Sequence, residues 1–206
     1  MQVTRATYLP VVVRHDDPRV RSACLCEPFV AELAVAYSPG PRYGRTLLSW
    51  EEFDRSGLSR PQLRSAAAAN LYRSLDRVEV LGQPPALLLG FDGLESSVLL
   101  AHSFWEELAG AVPGELVVGV PTRDMVIFTG TESPVGLQKV RRAVDRMFFA
   151  RAPRLLSPDL LVRRRGRWEV LPAGPVRSST EPPPAPTAGS PAVPRPRSRA
   201  ANVRVR

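Results

Sequence analysis

The sequence predicts a single α+β domain: a central antiparallel or mixed sheet packed by about three helices, followed by a disordered C-terminal tail. Two apolar, β-branched runs, Leu116 to Val120 and Met125 to Thr129, flank a short polar break, which is the pattern of a hairpin. Neither run alternates between apolar and polar positions, so their sheet is expected to be covered on two faces. Helix caps followed by apolar stripes recur elsewhere in the chain, so helices pack around that sheet. Pro121 cannot donate to a central ladder, which predicts that the first strand stops by Val120 and that the turn is Pro121 to Asp124.

Taken in order, Leu9 to Arg14 reads as a strand, Asp16-Asp17-Pro18 as a turn, and Phe29 to Tyr37 as a second strand. Ser49-Trp-Glu-Glu52 is a capping box that opens a short helix from Trp50 to Gly57. Ser59-Arg-Pro-Gln62 repeats the pattern and opens a longer helix through Leu75, with Leu63, Ala67, Asn70, Leu71 and Ser74 on one face. Val78 to Gly82 and Ala86 to Gly90 read as strands or edge segments around Gln83-Pro-Pro85. Asp92-Gly-Leu-Glu95 reads as the cap of a helix running through Ala109 to Gly110; its packed face carries Val98, Leu99, His102, Trp105, Leu108 and Ala109. After the hairpin, Ser133-Pro134 starts the last long helix, striped by Leu137, Val140, Val144, Met147 and Phe148. Leu160 to Val162 and Trp168 to Leu171 predict a second hairpin around Arg165-Gly166.

Residues 1–172 are expected to form the globular domain and residues 173–206 a disordered Pro/Arg-rich tail, whose composition cannot bury enough surface to offset its ordering entropy. Of the net charge of +8, the six arginines and one glutamate after Pro172 supply +5, leaving +3 on the domain. Cys24 and Cys26 stand two apart, which disfavours a disulfide and gives two of the four ligands a structural zinc needs. The N-terminal apolar run is too short for a signal peptide and no run approaches a membrane span, so a cytoplasmic protein with reduced thiols is expected.

Chemistry-bearing patterns are scarce. His15 and His102 are the only histidines, and no nucleophile elbow surrounds Ser96, Ser97 or Ser103. Asp16 and Asp17 lack a third oxygen ligand at recognisable spacing, and no phosphate loop is present, so no cofactor or metal set is read. Asn70, on the packed face of its helix, is expected to make a structural hydrogen bond. The helix pair from Trp50 to Leu71 resembles a DNA-binding pair in outline, but Ala66 to Ala69 offer little to base edges. These patterns favour a non-enzymatic protein-binding or regulatory module. The alternative is a nucleic-acid-associated protein using the tail and the turn arginines Arg163, Arg164, Arg165 and Arg167, although strand alternation sends neighbouring side chains to opposite faces. A hydrolase built on Asp92, Ser96 and Arg123 requires these groups to converge in one pocket.

Several stretches, in this order, resemble the YtpQ-like family of bacterial proteins of unknown function. They are Leu48-Ser-Trp-Glu-Glu-Phe53 with Gly57-Leu-Ser59, Ala68-Ala-Asn-Leu71, Asp92 with Glu95-Ser-Ser97 and Leu99-Leu100, Val120-Pro-Thr-Arg-Asp124, and Leu156-Ser-Pro158. The resemblance spans Leu9 to Leu171 and implies no activity. It singles out Asn70, Asp92, Ser96, Arg123 and Asp124 as candidate binding positions. The last two stand at the expected hairpin tip, where an intraturn ion pair or Asx-type hydrogen bond is the plainer role.

Overall fold

A computed structural model describes residues 7–40 and 46–172; the expectation of a disordered tail concerns residues 173–206 and lies outside the described residues. In chain order the elements are β1 (Tyr8–Arg14), α1 (Pro18–Ala23), β2 (Cys26–Val30), β3 (Leu33–Pro39), α2 (Trp50–Ser56) and α3 (Arg60–Arg73). They continue with β4 (Glu79–Gln83), β5 (Ala86–Gly90), α4 (His102–Ala109), β6 (Leu116–Thr122), β7 (Met125–Gly130), α5 (Pro134–Phe149), β8 (Leu160–Arg164) and β9 (Arg167–Val170). The strands form two antiparallel sheets, one ordered β1-β3-β2 and the other β4-β5-β7-β6-β8-β9. The fold is α+β.

The β6–β7 hairpin lies in the middle of the six-stranded sheet and is covered on both faces. Val118, Val120, Val126 and Phe128 point into the main core with Trp105, Trp168 and the β1 valines Val11 and Val13. Val117 and Ile127 point the other way, onto Val140 and Val144 of α5. Gly119 permits that approach: a Cβ there would lie 2.8 Å from Val140 Cγ1 and 2.8 Å from Val144 Cγ2. Three aromatic edge-to-face contacts radiate from Trp105, to Phe104, Phe128 and Trp168.

β6 does not stop at Val120. It runs through Pro121 to Thr122, so the turn is Arg123–Asp124. The register shifts between Gly119 and Thr122, and such an irregularity accommodates a residue with no N–H to give the ladder. The passing segment satisfies the acceptors: Leu156 N donates to the Pro121 carbonyl at 2.8 Å and Ser157 N to that of Val120 at 3.1 Å.

Two other elements differ from expectation. The single strand over Phe29 to Tyr37 is a hairpin of β2 and β3, reversed at Ala31, whose φ of 48° is rare for a residue with a Cβ. The helix from Asp92 to Ala109 is broken into a 3-10 segment, Glu95–Leu100, and α4. Indole N–H groups bond carbonyls of that segment: Trp105 donates to Val98 at 2.7 Å, beside the backbone N–H of Ala101 at 2.9 Å, and Trp168 donates to Leu99 at 2.9 Å. Helices α2 and α3 begin at the expected capping boxes, each with reciprocal side-chain and backbone bonds, and Gly57 closes α2 at φ 68°.

Candidate functional site

Three of the stretches that carry the family resemblance meet at the tip of the β6–β7 hairpin. Ser96 N donates to the Arg123 carbonyl at 3.0 Å, and Thr122 bridges Leu155 just before Leu156-Ser-Pro158. The loop leading there is fixed by Glu95, whose Oε1 accepts from Phe91 N at 2.8 Å and Gly93 N at 3.2 Å. Asp92 caps nothing. Its φ is 51°, it is exposed, and its carboxylate accepts from Arg77. The backbone reverses at Asp92 and Gly93, and Glu95 closes that turn by accepting from the N–H groups on either side of Asp92.

Ser96, Ser97 and Thr122 are buried, and their hydroxyls, with Glu95 Oε2, are buried atoms with no hydrogen-bond partner among the described residues. A Ser96 hydroxyl at 0% exposure is closed to a substrate arriving from solvent. Arg123 is half-buried: burial, then the like charge of Arg154, pulls its pKa down, while Asp124 and Asp17 oppose the shift. Asp124 is exposed beside it. The tip therefore brings Ser96 together with the Arg123–Asp124 turn, while the Asp92 carboxylate is held by Arg77.

Asn70 has the structural role its helical face implies. Its Nδ2 donates to the Tyr8 carbonyl at 2.7 Å and its Oδ1 accepts from Arg73, tying α3 to β1.

The turn arginines separate, as alternation requires. Arg163 NH2 reaches His102 Nδ1 at 2.6 Å and its guanidinium lies over the Trp168 ring at 5.5 Å. His102, placed on a packed face by the sequence pattern, is exposed and also meets Glu106 at 2.8 Å, because the break at Ala101 rotates α4 out of phase with the preceding residues. Arg164 binds both oxygens of Glu115 at 3.0 and 2.9 Å, which lowers the Glu115 pKa. Arg165 and Gly166, with φ of 48° and 75°, make the turn, and Arg167 pairs with Arg164 in register. The neighbouring groove, about 440 Å³, is lined by Glu106 and Glu115 as well as Arg163 and Arg165, so its charge is mixed.

A further feature carries no charge motif. Every residue of β4 is exposed, and Val80 and Leu81 are each 45% exposed and Leu88 of β5 36%. β4 has β5 on one side and stands at the end of the strand order on the other. Sequence reasoning found the strand; the apolar run by itself does not say whether its neighbours cover it. Among the described residues, no cluster of three or more His, Cys, Asp or Glu side chains could hold a metal ion, and no helix is long and apolar enough to cross a membrane.

Comparison with known proteins places the chain beside the UPF0354 proteins of bacteria, whose names assign no activity. It is 30% identical over 152 residues to a UPF0354 protein of Halalkalibacterium halodurans, covering 72% of this chain and 55% of that protein. It is 26% identical over 137 residues to those of Listeria innocua and Listeria monocytogenes, covering 65% of this chain and 50% of each relative. The chain spans about half the length of the curated relatives it matches. No family model and no solved structure matches.

Proposed function

We propose that this protein is a non-enzymatic protein-binding or regulatory module that engages a partner through the β4–β5 arm. One observation carries this reading: an outer strand with both Val80 and Leu81 at 45% exposure. Sheet edges in soluble proteins are ordinarily guarded by lysine, proline, bulges or a covering element, because an unpaired row of N–H and C=O groups templates another strand. β4 carries one charge, Glu79. Addition of a partner strand to such an edge is a recurring mode of recognition. The closed Ser96 hydroxyl supports a role without chemistry.

A YtpQ-like identity belongs to the same proposal, supported by the meeting of the quoted stretches at the hairpin tip. A cytoplasmic location also belongs to it: Cys24 and Cys26 are not joined in a disulfide, and burial pushes both thiol pKa values up, which suits a reducing compartment.

Affinity capture from native lysate with the full chain, a Leu81→Lys variant and a chain lacking residues 173–206 tests the reading. The full and tail-deleted chains are expected to retain the same protein partner and Leu81→Lys to lose it. Loss on tail removal, together with salt-sensitive recovery of nucleic acid, would instead favour nucleic-acid association through the tail and the Arg163 to Arg167 turn.

A further inference from the structure

We infer that the outward face of α5 and the turn after it form a second interaction surface, one that holds the phosphate backbone of a single-stranded nucleic acid. It is separate from the β4–β5 arm and goes beyond the binding reading above.

The first support is where the charge collects. Residues 139–154 hold six cations and one acid, Asp145, a net charge of +5, whereas the whole domain carries +3. The rest of the domain is therefore net acidic. Elsewhere on the surface arginines are answered: Arg14, Arg55, Arg64, Arg77 and Arg164 each pair with a carboxylate. Among the described residues, Lys139, Arg142, Arg146, Arg151 and Arg154 make no ion pair. A helix face that only keeps a protein wet mixes both signs at i, i+4 spacing, and this one does not. Nor does the helix dipole account for it, because its pull is confined to the last turn and Lys139 and Arg142 lie before that turn.

The second support is geometric. Val135, Lys139, Arg142, Arg146 and Phe149 recur at alternating steps of four and three residues, so they form one stripe about 21 Å long. Val140 and Val144, which pack on the sheet, lie on the opposite side of the helix. All five stripe residues are exposed, Val135 at 59% and Phe149 at 93%. Past Phe149 the chain reverses in a Schellman motif, in which Ala152 N donates to the Met147 carbonyl and Arg151 N to that of Phe148, each at 3.1 Å. The left-handed position of that motif is ordinarily glycine; here it is Arg151, at φ 48°, and Arg154 follows at φ 58°. Two arginines thus stand at the end of the stripe where the backbone favours a residue without a side chain. Leu155 bridges Thr122, which sets Arg154 near Arg123; burial, then this like charge, lowers the Arg123 pKa.

A row of cations without intervening acids fits a polymer of regularly spaced anions. Arginine forks match phosphate oxygens two at a time. A membrane surface needs clustered apolar side chains to insert, and Val135 and Phe149 stand at opposite ends of the stripe with the cations between them. The exposed Phe149 ring can instead stack an unpaired base, which selects a single strand over a duplex and reads no sequence.

Fluorescence anisotropy of the full chain with a labelled oligothymidylate long enough to span the stripe tests this surface. Affinity should fall steeply with salt. Arg142→Gln/Arg146→Gln should weaken binding roughly tenfold and lower the slope of log affinity against log salt by about 1.4, at about 0.7 per phosphate contact. Arg21→Gln/Arg55→Gln removes the same charge from α1 and α2 and should leave affinity within about twofold. Phe149→Ala should weaken single-strand binding several-fold with the slope unchanged, and Leu81→Lys on the β4 edge should change nothing. Unaltered circular dichroism and thermal midpoint verify that these exposed substitutions leave the fold intact. Equal losses from the two double variants would reduce binding to net charge and overturn the surface. Indifference to Arg142→Gln/Arg146→Gln, with loss on removing residues 173–206, would assign binding to the tail and overturn it as well. Binding to phosphatidylserine vesicles in place of the oligonucleotide would overturn the nucleic-acid assignment, and indifference to Phe149→Ala would overturn the single strand. Loss of oligonucleotide binding in Leu81→Lys would overturn the separation from the β4–β5 arm, whereas the protein capture described above bears on that arm alone.

Discussion

Two hairpins of the same sheet, β6–β7 and β4–β5, are built from similar residues and meet opposite surroundings. Val118 and Phe128 in the first are fully buried, while Val80 and Leu81 in the second are nearly half exposed. Composition does not separate them; place in the strand order does. A central hairpin receives α5 on one face and the tryptophan-centred core on the other, whereas an end hairpin receives neighbours on one side only. The same apolar residue therefore stabilises the monomer in one position and leaves binding surface in the other.

Substitutions should break this comparison most sharply at the centre. Phe128→Ala is expected to cost about 3–5 kcal/mol in chemical denaturation, by lost burial plus the cavity left beside Trp105. A loss near that of an exposed site would place the energetic centre elsewhere. Gly119→Ala should cost about 1–3 kcal/mol, since the added methyl enters space held by Val140 and Val144. An unchanged midpoint would mean that α5 can withdraw freely.

How much of this was legible in the sequence depended on how local the cause was. The capping boxes at Ser49–Glu52 and Ser59–Gln62 were read correctly because both partners lie within one helical turn. The β6–β7 hairpin was legible from its paired apolar runs. The strand through Pro121 was not, because its acceptors are satisfied by Leu156 and Ser157, distant in sequence. The reversal at Ala31 carried no turn signature, since the left-handed residue is alanine rather than glycine or asparagine. The break at Ala101 was not legible either: the carbonyls before it are met by indole donors from Trp105 and Trp168, the second arriving from β9. At the hairpin tip the motif order singled out Ser96 and Arg123, which do meet, but gave no sign that the Ser96 hydroxyl is closed to solvent or that Glu95, not Asp92, holds the loop.

Away from both hairpins, Ser49→Ala should cost about 1 kcal/mol by removing the acceptor for Glu52 N. The same box carries a pH signature. Hydrogen bonds from the Ser49 backbone, then its side chain, hold the Glu52 pKa below the ordinary carboxylate range. A folded-state pKa below the unfolded one gives stability that is present above the unfolded value and lost as pH falls through the folded value. Glu52→Gln should therefore flatten the acid limb of the thermal midpoint against pH; an unaltered limb would show that the box does not contribute to it. The smallest effect belongs to the edge: Leu81→Ala should change monomer stability by no more than about 0.5 kcal/mol.

Amide hydrogen exchange on the dilute full-length chain puts the contrast between the two hairpins to the most direct trial. Amides of β6 and β7 should exchange only through global unfolding, and the outward-facing amides of β4 should exchange many-fold faster. Protection of the β4 amides equal to that of β6 in the dilute monomer would mean that the edge is already covered, and the account of it as a binding surface would be wrong.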